Sequence, residues 1–220
     1  MSAWTARIIC VVIGYAFGLF QTSYILGRLK GVDIRKEGSG NAGTTNAIRT
    51  LGKKFGILTA FGDVVKCILA VLVTWAIFHT AFEGITPLLR IYTAAGVILG
   101  HNFPFYLHFQ GGKGIAASCG MIIAFLDWRL TIIGVICLFG GLILTTYMSV
   151  GSLALSGGFL IGIIISGQLG VYEMPQPLLT EMYIVVALLT LMAYVKHRGN
   201  IERLIHGEER HTYLLRKKKV

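Results

Sequence analysis

Hydrophobic residues occur along this chain in long, nearly uninterrupted runs separated by short polar segments. A run of about 20 mainly apolar residues is long enough to cross a bilayer as a helix. The fourth run, residues 115–125, is short for a complete span and suits a half-helix or re-entrant segment. No A-x-A cleavage site follows the first run, so we expect a retained helix there rather than a signal peptide. The pattern predicts seven helices, at residues 4–26, 55–78, 88–107, 115–125, 130–148, 150–166 and 182–195.

Composition supports a membrane protein and excludes most soluble classes. The 220 residues are 55% hydrophobic and 14% charged, with a mean hydropathy of +0.71, whereas soluble domains carry about 25% charged residues. A disordered chain is excluded because the apolar content is too high. We therefore expect an all-α integral membrane protein with seven transmembrane helices, forming a single domain over residues 1–220.

The distribution of positive charge predicts the orientation. Lys and Arg concentrate in the first loop and the C-terminal tail, with Lys113 in the third loop, whereas the segments on the other side carry only Arg7, Arg90 and Arg129. Because positive residues favour the cytoplasmic side, we expect the N-terminus outside and the C-terminus in the cytoplasm, as an odd number of spans requires. The basic run at 216–219 is expected to attract anionic headgroups. Topology thus explains most of the net charge of +10 without a nucleic-acid partner.

The four cysteines indicate neither a disulfide nor a metal site. Cys10, Cys67, Cys119 and Cys137 all fall inside apolar runs, with no CxxC or Cys/His spacing. We interpret them as small buried hydrophobic residues and expect no metal.

The first cytoplasmic loop is rich in glycine and in small hydrogen-bonding residues, and it closes with Arg49. Glycines allow backbone N–H groups to form an anion-binding nest, and an arginine can bind phosphate through two parallel hydrogen bonds. A helix starting near Thr45 would add its N-terminal dipole. The spacing Gly38-x-Gly40-x-x-Gly43 matches a dinucleotide fingerprint, but no strand precedes it. A flexible glycine loop is the remaining alternative, and the density of Ser, Thr and Asn argues against it.

Other polar segments fall on the same predicted side of the membrane. The third loop ends in Gly-Gly-Lys113-Gly114, an incomplete Walker A sequence that implies neither ATP nor Mg²⁺ but leaves a lysine in a glycine cradle. In the tail, His197 and Asn200 are three residues apart and would share a helix face. The fifth loop contributes Ser149 and Ser152. We expect these segments to form one site that admits soluble anions from the cytoplasm while an apolar group lies between helices.

Asp63 and Lys66 are three residues apart inside the second predicted span. Charges at that depth are costly unless they are paired. The pair either stabilises the packing between helices or forms part of the active site, and the sequence leaves both interpretations open.

Three motifs resemble those of the bacterial acyl-phosphate:glycerol-3-phosphate acyltransferases, the PlsY-type family of integral membrane enzymes. The resemblance runs in order along nearly the whole chain, although Thr44 stands where the family usually has Ala, Cys67 where it has Gly, and Gln21 where many members have Pro. The matching residues are Ser39, Gly40, Asn41, Gly43, Thr45, Asn46 and Arg49 in the first motif, Gly100, His101, Gly111, Gly112, Lys113 and Gly114 in the second, and His197, Asn200 and Glu209 in the third.

This resemblance implies transfer of a fatty acyl group from acyl phosphate to the 1-hydroxyl of sn-glycerol 3-phosphate, with lysophosphatidic acid and phosphate as products and no cofactor. It implies a multi-pass protein of the bacterial inner (plasma) membrane with its active site facing the cytoplasm. Membrane lipid and the soluble enzyme that forms acyl phosphate are the expected partners. The implied roles are catalytic for Ser39, Arg49, Lys113, His197 and Asn200, substrate or phosphate binding for Gly40, Asn41, Gly43, Thr45, Asn46, His101, Gly111, Gly112, Gly114, Ser149 and Ser152, and structural support for Asp63, Lys66 and Glu209.

The residues suit a reaction that needs no acyl-enzyme. Acyl phosphate is already activated, and the sequence shows neither a clear Ser-His-Asp or Cys-His set nor a His followed five residues later by Asp. Catalysis would then depend on holding two anions together and screening their repulsion. The departing phosphate or His197 would accept the hydroxyl proton. A transporter of a phosphorylated solute and a membrane anchor are the competing functions. The predicted spans contain few polar residues and the outer loops are short, which disfavours a transporter.

Overall fold

The computed structural model describes residues 1–212, and within them every regular element is helical. The all-α prediction is confirmed for this part of the chain, while the basic run at 216–219 lies outside the described residues. The helices are α1 (Ala3–Gly18), α2 (Thr22–Leu29), α3 (Thr44–Leu51), α4 (Lys53–Phe78), α5 (Thr86–Asn102), α6 (Ile115–Phe125), α7 (Trp128–Thr145), α8 (Met148–Gln168), α9 (Gln176–Lys196) and α10 (Arg198–Ile205), with 3₁₀ turns at Glu83–Ile85 and Phe105–Leu107.

Five segments are long and apolar enough to cross a membrane: α1 together with α2, α4, α7, α8 and α9. Helix α6 is apolar but has only 11 residues, and α5 has 17. Large apolar side chains such as Phe61, Ile136 and Leu188 are more than half exposed, as expected for surfaces that face lipid rather than water.

The first apolar run, residues 4–26, is broken rather than continuous. Helix α1 ends at Gly18 and α2 begins at Thr22. Gln21 Nε2 donates to the Gly18, Gly100 and His101 carbonyl oxygens. Lys66 Nζ lies 2.7 Å from the Phe20 carbonyl oxygen. A break at membrane depth is tolerated because protein groups take up the released backbone carbonyls.

Other predicted boundaries shift for local reasons. The run predicted over residues 88–107 ends as a helix at Asn102, two residues before Pro104, and continues as a 3₁₀ turn. Helix α8 begins at Met148, so Ser149 and Ser152 lie in its first turns rather than in a loop. Helix α9 is longer than the predicted run, residues 182–195, because its polar first turns follow Pro175 directly.

Helices α1 and α5 pack with their backbones in close approach. Each contributes two glycines four residues apart, Gly14 and Gly18 on α1 and Gly96 and Gly100 on α5. A Cβ atom at Gly14 would lie 2.1 Å from the Thr93 carbonyl oxygen, and one at Gly96 would lie 2.2 Å from that of Val11. Small residues at this spacing allow membrane helices to approach closely.

The main apolar core lies between α4, α5, α6, α7, α8 and α9 and includes Leu88, Met121, Phe159 and Met182. It holds the ends of α5 and α9 beside the starts of α6 and α8. The polar motifs are attached to these helix ends, so the packing of the core determines where they meet.

We expect Gly96→Ala to lower the melting temperature in detergent. The added methyl group would press on the Val11 carbonyl oxygen, and overpacking of this kind costs about 1–3 kcal/mol. Gly140→Ala is the matched control because no atom lies within 4 Å of its new Cβ and alanine favours a helix. Equal melting temperatures for the two variants would contradict the close packing of α1 and α5.

Candidate active site

The first glycine loop is shaped by the buried side chain of Asn46. Its Oδ1 accepts a hydrogen bond from the Ser39 backbone N–H at 2.8 Å, and its Nδ2 donates to the Ile34 and Glu37 carbonyl oxygens, both at 3.0 Å. A Cβ at Gly38, where φ is +62°, would lie 2.3 Å from Asn46 Oδ1. Asn46 therefore organises the loop from inside and leaves Ser39 exposed at the surface.

Helix α3 begins at Thr44 with Gly43 as its N-cap, one residue before the start near Thr45 that would add a helix dipole to the loop. Arg49 lies in its last turn. The side chain is exposed and makes no hydrogen bond or ion pair with any residue in 1–212. Partial burial and the nearby Arg210 lower the pKa of Arg49 below its ordinary value. Its guanidinium is thus a cation whose donors are available to a ligand.

The Gly-Gly-Lys-Gly segment folds back on the end of α5. The Gly111 N–H donates to the Asn102 carbonyl oxygen at 3.3 Å, and that of Gly112 donates to the His101 carbonyl oxygen at 3.1 Å. A Cβ at Gly112 would lie 2.8 Å from the Ala42 carbonyl oxygen. The second glycine loop therefore packs against the first, and only glycine fits at the contact.

Lys113 connects this loop to the C-terminal segment through Asn200. Lys113 Nζ donates to Asn200 Oδ1, and Asn200 Nδ2 donates to Glu209 Oε1 at 2.6 Å. Glu209 Oε1 also accepts from Ser149 Oγ at 3.1 Å, and Glu209 Oε2 pairs with Arg203 Nε at 2.8 Å. The Lys113–Asn200–Glu209 chain therefore joins three distant parts of the sequence, the third loop, α8 and the tail.

The electrostatics of this cluster are dominated by positive charge. Burial lowers the pKa of Lys113 to about 8; Glu209 opposes this shift, while Arg203, Arg49 and Lys196 add to it. Burial acts to raise the pKa of Glu209, but hydrogen bonds from Asn200, Arg203 and Ser149 outweigh it and hold the pKa below its usual value. One buried carboxylate thus partly neutralises several cations, and the remaining charge suits a phosphate anion.

His197 lies between α9 and α10 with its ring buried. Its Nδ1 is 2.7 Å from the Ala193 carbonyl oxygen, which can only accept, so Nδ1 carries a proton. Burial, together with the positive charge of Lys113, lowers the pKa of His197 to about 4. The ring is therefore neutral at pH 7, and Nε2 is its accepting nitrogen.

Not every side chain expected to bind substrate faces this cluster. Ser152 Oγ donates to the Met148 carbonyl oxygen of its own helix at 2.8 Å. His101 is 3% exposed, and its Nδ1 is 2.9 Å from Lys66 Nζ. Lys66 also pairs with Asp63 at 2.8 Å. The Asp63–Lys66 pair, for which the sequence leaves two roles open, thus ties α4 to the ends of α1 and α5.

Sequence reasoning missed two cations beside the site. Arg203 pairs with Glu209, and Lys196 Nζ donates to the Asn102 carbonyl oxygen at 3.1 Å and lies 4.1 Å from the centre of the Phe103 ring. The sequence marks Lys196 only as a topology charge, whereas Arg203 falls within the third motif but received no role at the site. The reversal of the chain at Gly207, where φ is +72°, could have suggested that the tail returns towards α10.

Two further observations concern metal binding and a cavity that lies away from the motifs. Among residues 1–212, no group of three or more His, Cys, Asp or Glu residues is placed to hold a metal ion. A cavity of about 340 Å³ lined by Arg90, Asp127, Trp128 and Tyr172 contains none of the motif residues.

Comparison with known proteins gives consistent matches over nearly the whole chain. A family profile described as glycerol-3-phosphate acyltransferase matches residues 8–207. A glycerol-3-phosphate acyltransferase of Clostridioides difficile is 40% identical, covering 92% of this chain and 94% of the relative. One of Thermotoga petrophila is 36% identical, covering 94% and 96%.

Two solved structures have the same fold. Crystal structures of PlsY (YgiH), an integral membrane glycerol 3-phosphate acyltransferase, superpose with TM-scores of 0.80 for the glycerol 3-phosphate form and 0.78 for the lysophosphatidic acid form. Their sequences are 28% and 27% identical to this chain, and each match covers 95% of this chain and 96% of the other.

We expect binding of a soluble phosphate monoester to this cationic cluster to weaken as the pH rises through about 8. Above the lowered pKa of Lys113 its ammonium loses the proton and the charge that attracts phosphate, so affinity falls by up to about tenfold per pH unit. Calorimetric titration between pH 7 and 10 measures this. Lys113→Arg should shift the loss to higher pH because arginine stays charged, and an unchanged affinity of the wild type at pH 9.5 would contradict the expectation.

Proposed function

This chain belongs to the glycerol-3-phosphate acyltransferase family, and we propose that it transfers a fatty acyl group from acyl phosphate to the 1-hydroxyl of sn-glycerol 3-phosphate. The products are lysophosphatidic acid and phosphate, and the reaction is the first step of phospholipid synthesis. The observation that carries the proposal is that Arg49 and Lys113 both lie close enough to Glu209 to interact with its charge, beside the Asn200–Glu209 hydrogen bond.

Glycerol 3-phosphate and acyl phosphate are both anions, and the reaction joins the first to the carbonyl carbon of the second. The 1-hydroxyl oxygen attacks that carbon, a new C–O ester bond forms, and the bond between the carbonyl carbon and the phosphate oxygen breaks. The bond electrons leave with phosphate. Two phosphate groups repel each other in this arrangement, so bringing them together needs positive charge already in place. Arg49, Lys113 and Arg203 supply that charge, and Glu209 partly offsets it.

The hydroxyl proton passes to the departing phosphate. His197 is the alternative base, but its pKa of about 4 makes the imidazole a weak base at neutral pH. The phosphate oxygen gains negative charge as its bond to the carbonyl carbon breaks, and so it binds a proton more strongly than this imidazole. His197 then serves as a neutral dipole beside Lys113, with Nε2 as its accepting atom.

The glycine loops provide the remaining contacts in this proposal. The Ser39 side chain binds one phosphate, with Gly40, Asn41, Gly43 and Thr45 as the other ligand positions there. The backbone N–H groups of Ser39, Gly40 and Gly43 already donate hydrogen bonds within the loop. Asn46 acts from beneath the loop. Gly111, Gly112 and Gly114 let the backbone approach a second anion beside Lys113, and Ser149 acts through Glu209.

We further propose seven spans in a bacterial inner membrane, with the N-terminus outside and the active site facing the cytoplasm. Helices α5 and α6 complete the seven. The end of α6 is sealed by Arg90, whose Nη1 donates to the Phe125 carbonyl oxygen at 2.9 Å, which makes a short span acceptable at that depth. The concentration of basic residues at the end carrying the motifs supports this orientation. The soluble enzyme that forms acyl phosphate is the proposed partner.

Purified protein in detergent, supplied with palmitoyl phosphate and glycerol 3-phosphate, should form lysophosphatidic acid and phosphate without added nucleotide. EDTA should leave the rate unchanged because the described residues hold no cluster of metal ligands. Mass spectrometry of the lipid product and a phosphate assay measure both products.

Two arginine variants are the matched controls for that assay. Arg49→Ala should reduce kcat/KM by a factor of about 30 or more, because losing a charged contact to a ligand costs about 2–5 kcal/mol. Arg28→Ala removes an exposed arginine from the same region of the chain and should retain activity. Turnover of Arg49→Ala within threefold of wild type, or loss of activity on metal removal, would contradict the proposal.

A further inference from the structure

Lys66 is almost fully buried and its ammonium group is completely bonded. Its Nζ lies 2.7 Å from the Phe20 carbonyl oxygen, 2.8 Å from Asp63 Oδ1 and 2.9 Å from His101 Nδ1. An ammonium group has three N–H donors and no acceptor. The three short contacts therefore account for all three donors, and the Gly18 carbonyl oxygen, at 3.4 Å, is a longer fourth contact that shares one of them.

This arrangement determines which nitrogen of His101 carries the proton. Lys66 can only donate, so His101 Nδ1 must accept. In a neutral imidazole whose Nδ1 accepts, the proton is on Nε2. Asp63 Oδ1 is 3.7 Å from the same Nδ1, too far for a hydrogen bond to that nitrogen. The Asp63 oxygen accepts instead from Thr22 Oγ1 at 3.1 Å.

The opposite edge of the His101 ring lies against the second glycine loop. A Cβ at Gly112 would be 2.1 Å from His101 Nε2 and 2.9 Å from Cε1. The Gly112 backbone N–H in turn donates to the His101 carbonyl oxygen. The ring and the loop are therefore in direct contact, one residue before Lys113.

We propose that Lys66 is a positioning residue that holds His101 in the Nε2–H tautomer, and that His101 in turn holds the Gly111–Gly112 turn so that Lys113 reaches Asn200. This proposal rests on the proposed function, and it differs from the direct phosphate contact that the family resemblance implies for His101. The ring acts through the backbone of Gly112 and does not touch substrate.

The physical consequence is a link between the membrane interior and the site. Without the Lys66 donor, Nδ1 has no fixed partner and the ring can change tautomer or rotate. The glycine turn, which has no side chains of its own to pack, then loses its support. A displacement of about 1 Å in a catalytic group can reduce the rate by about 100-fold.

The first test is a direct measurement of the tautomer. Nitrogen-15 NMR of histidine-labelled wild-type protein distinguishes a protonated Nε2 from a protonated Nδ1, and the His101 signal is assigned by its loss in His101→Asn. At neutral pH we expect protonation at Nε2 alone. Protonation at Nδ1, or at both nitrogens, overturns the proposal, and this result depends neither on a Lys66 variant nor on enzymatic activity.

The second test compares two buried ion pairs at opposite ends of α1. Lys66→Met removes the donor to His101, whereas Arg7→Met breaks the Arg7–Glu181 pair of 2.6 Å between α1 and α9, in which the arginine is buried and the glutamate is 22% exposed. Both variants should have lower melting temperatures. Only Lys66→Met should also lose at least tenfold in kcat/KM and show a mixture of His101 tautomers. Lys66→Arg keeps a donor, so it should retain much of the wild-type kcat/KM and mainly the Nε2–H tautomer.

A Lys66→Met variant with kcat/KM within threefold of wild type, or an equal loss in Arg7→Met, would show that the network is only structural and overturn the proposal. If wild-type protein has the expected tautomer but makes no lysophosphatidic acid, the proposed function fails while the Lys66–His101 interaction stands.

Discussion

The structure of the site depends on the hydrogen bonds that Asn200 makes in two directions. Its Oδ1 accepts from Lys113 and its Nδ2 donates to Glu209, so a neutral amide separates a cation from a buried carboxylate. A direct Lys113–Glu209 pair would satisfy both charges and leave little for a ligand. With the amide between them, Glu209 orients the lysine while the ammonium keeps further donors for phosphate. The second glycine loop, the start of α8 and the tail are held together by this chain of contacts.

The membrane sets the second constraint, because polar groups inside the apolar bundle must find partners within the protein. The break between α1 and α2 is stabilised by Gln21 and Lys66. The same polar groups reach the end of α5, where His101 supports the glycine turn. Close packing of α1 on α5 through glycines brings these groups within hydrogen-bonding distance. The helices that pack the bundle thus also set the position of Lys113.

Local patterns predicted much of this arrangement, and long-range contacts decided the rest. Each of the seven apolar runs contains a helix, as run length predicted, whereas the short helices α3 and α10 lie outside those runs. Run length could not reveal the break at Gly18, because the bonds that permit it come from Gln21 and from residues far along the chain. The inward orientation of His101 follows from its contact with Lys66 on another helix. The role of Arg203 depends on the return of the tail towards α10. Neither follows from spacing along the chain.

The most direct test of the account is a double-mutant cycle between Lys113 and Glu209, measured as kcat/KM for glycerol 3-phosphate. If Asn200 transmits the effect of the carboxylate to the lysine, the losses of kcat/KM caused by Lys113→Gln and Glu209→Gln should not be additive in free energy. The double variant should be less impaired than the two single losses together, by an interaction energy in the range of about 0.5–3 kcal/mol found for residues in one network. Melting temperatures in detergent would confirm that all three variants remain folded. Strict additivity in folded variants would show that Lys113 and Glu209 act independently and would contradict the central role of the Lys113–Asn200–Glu209 chain.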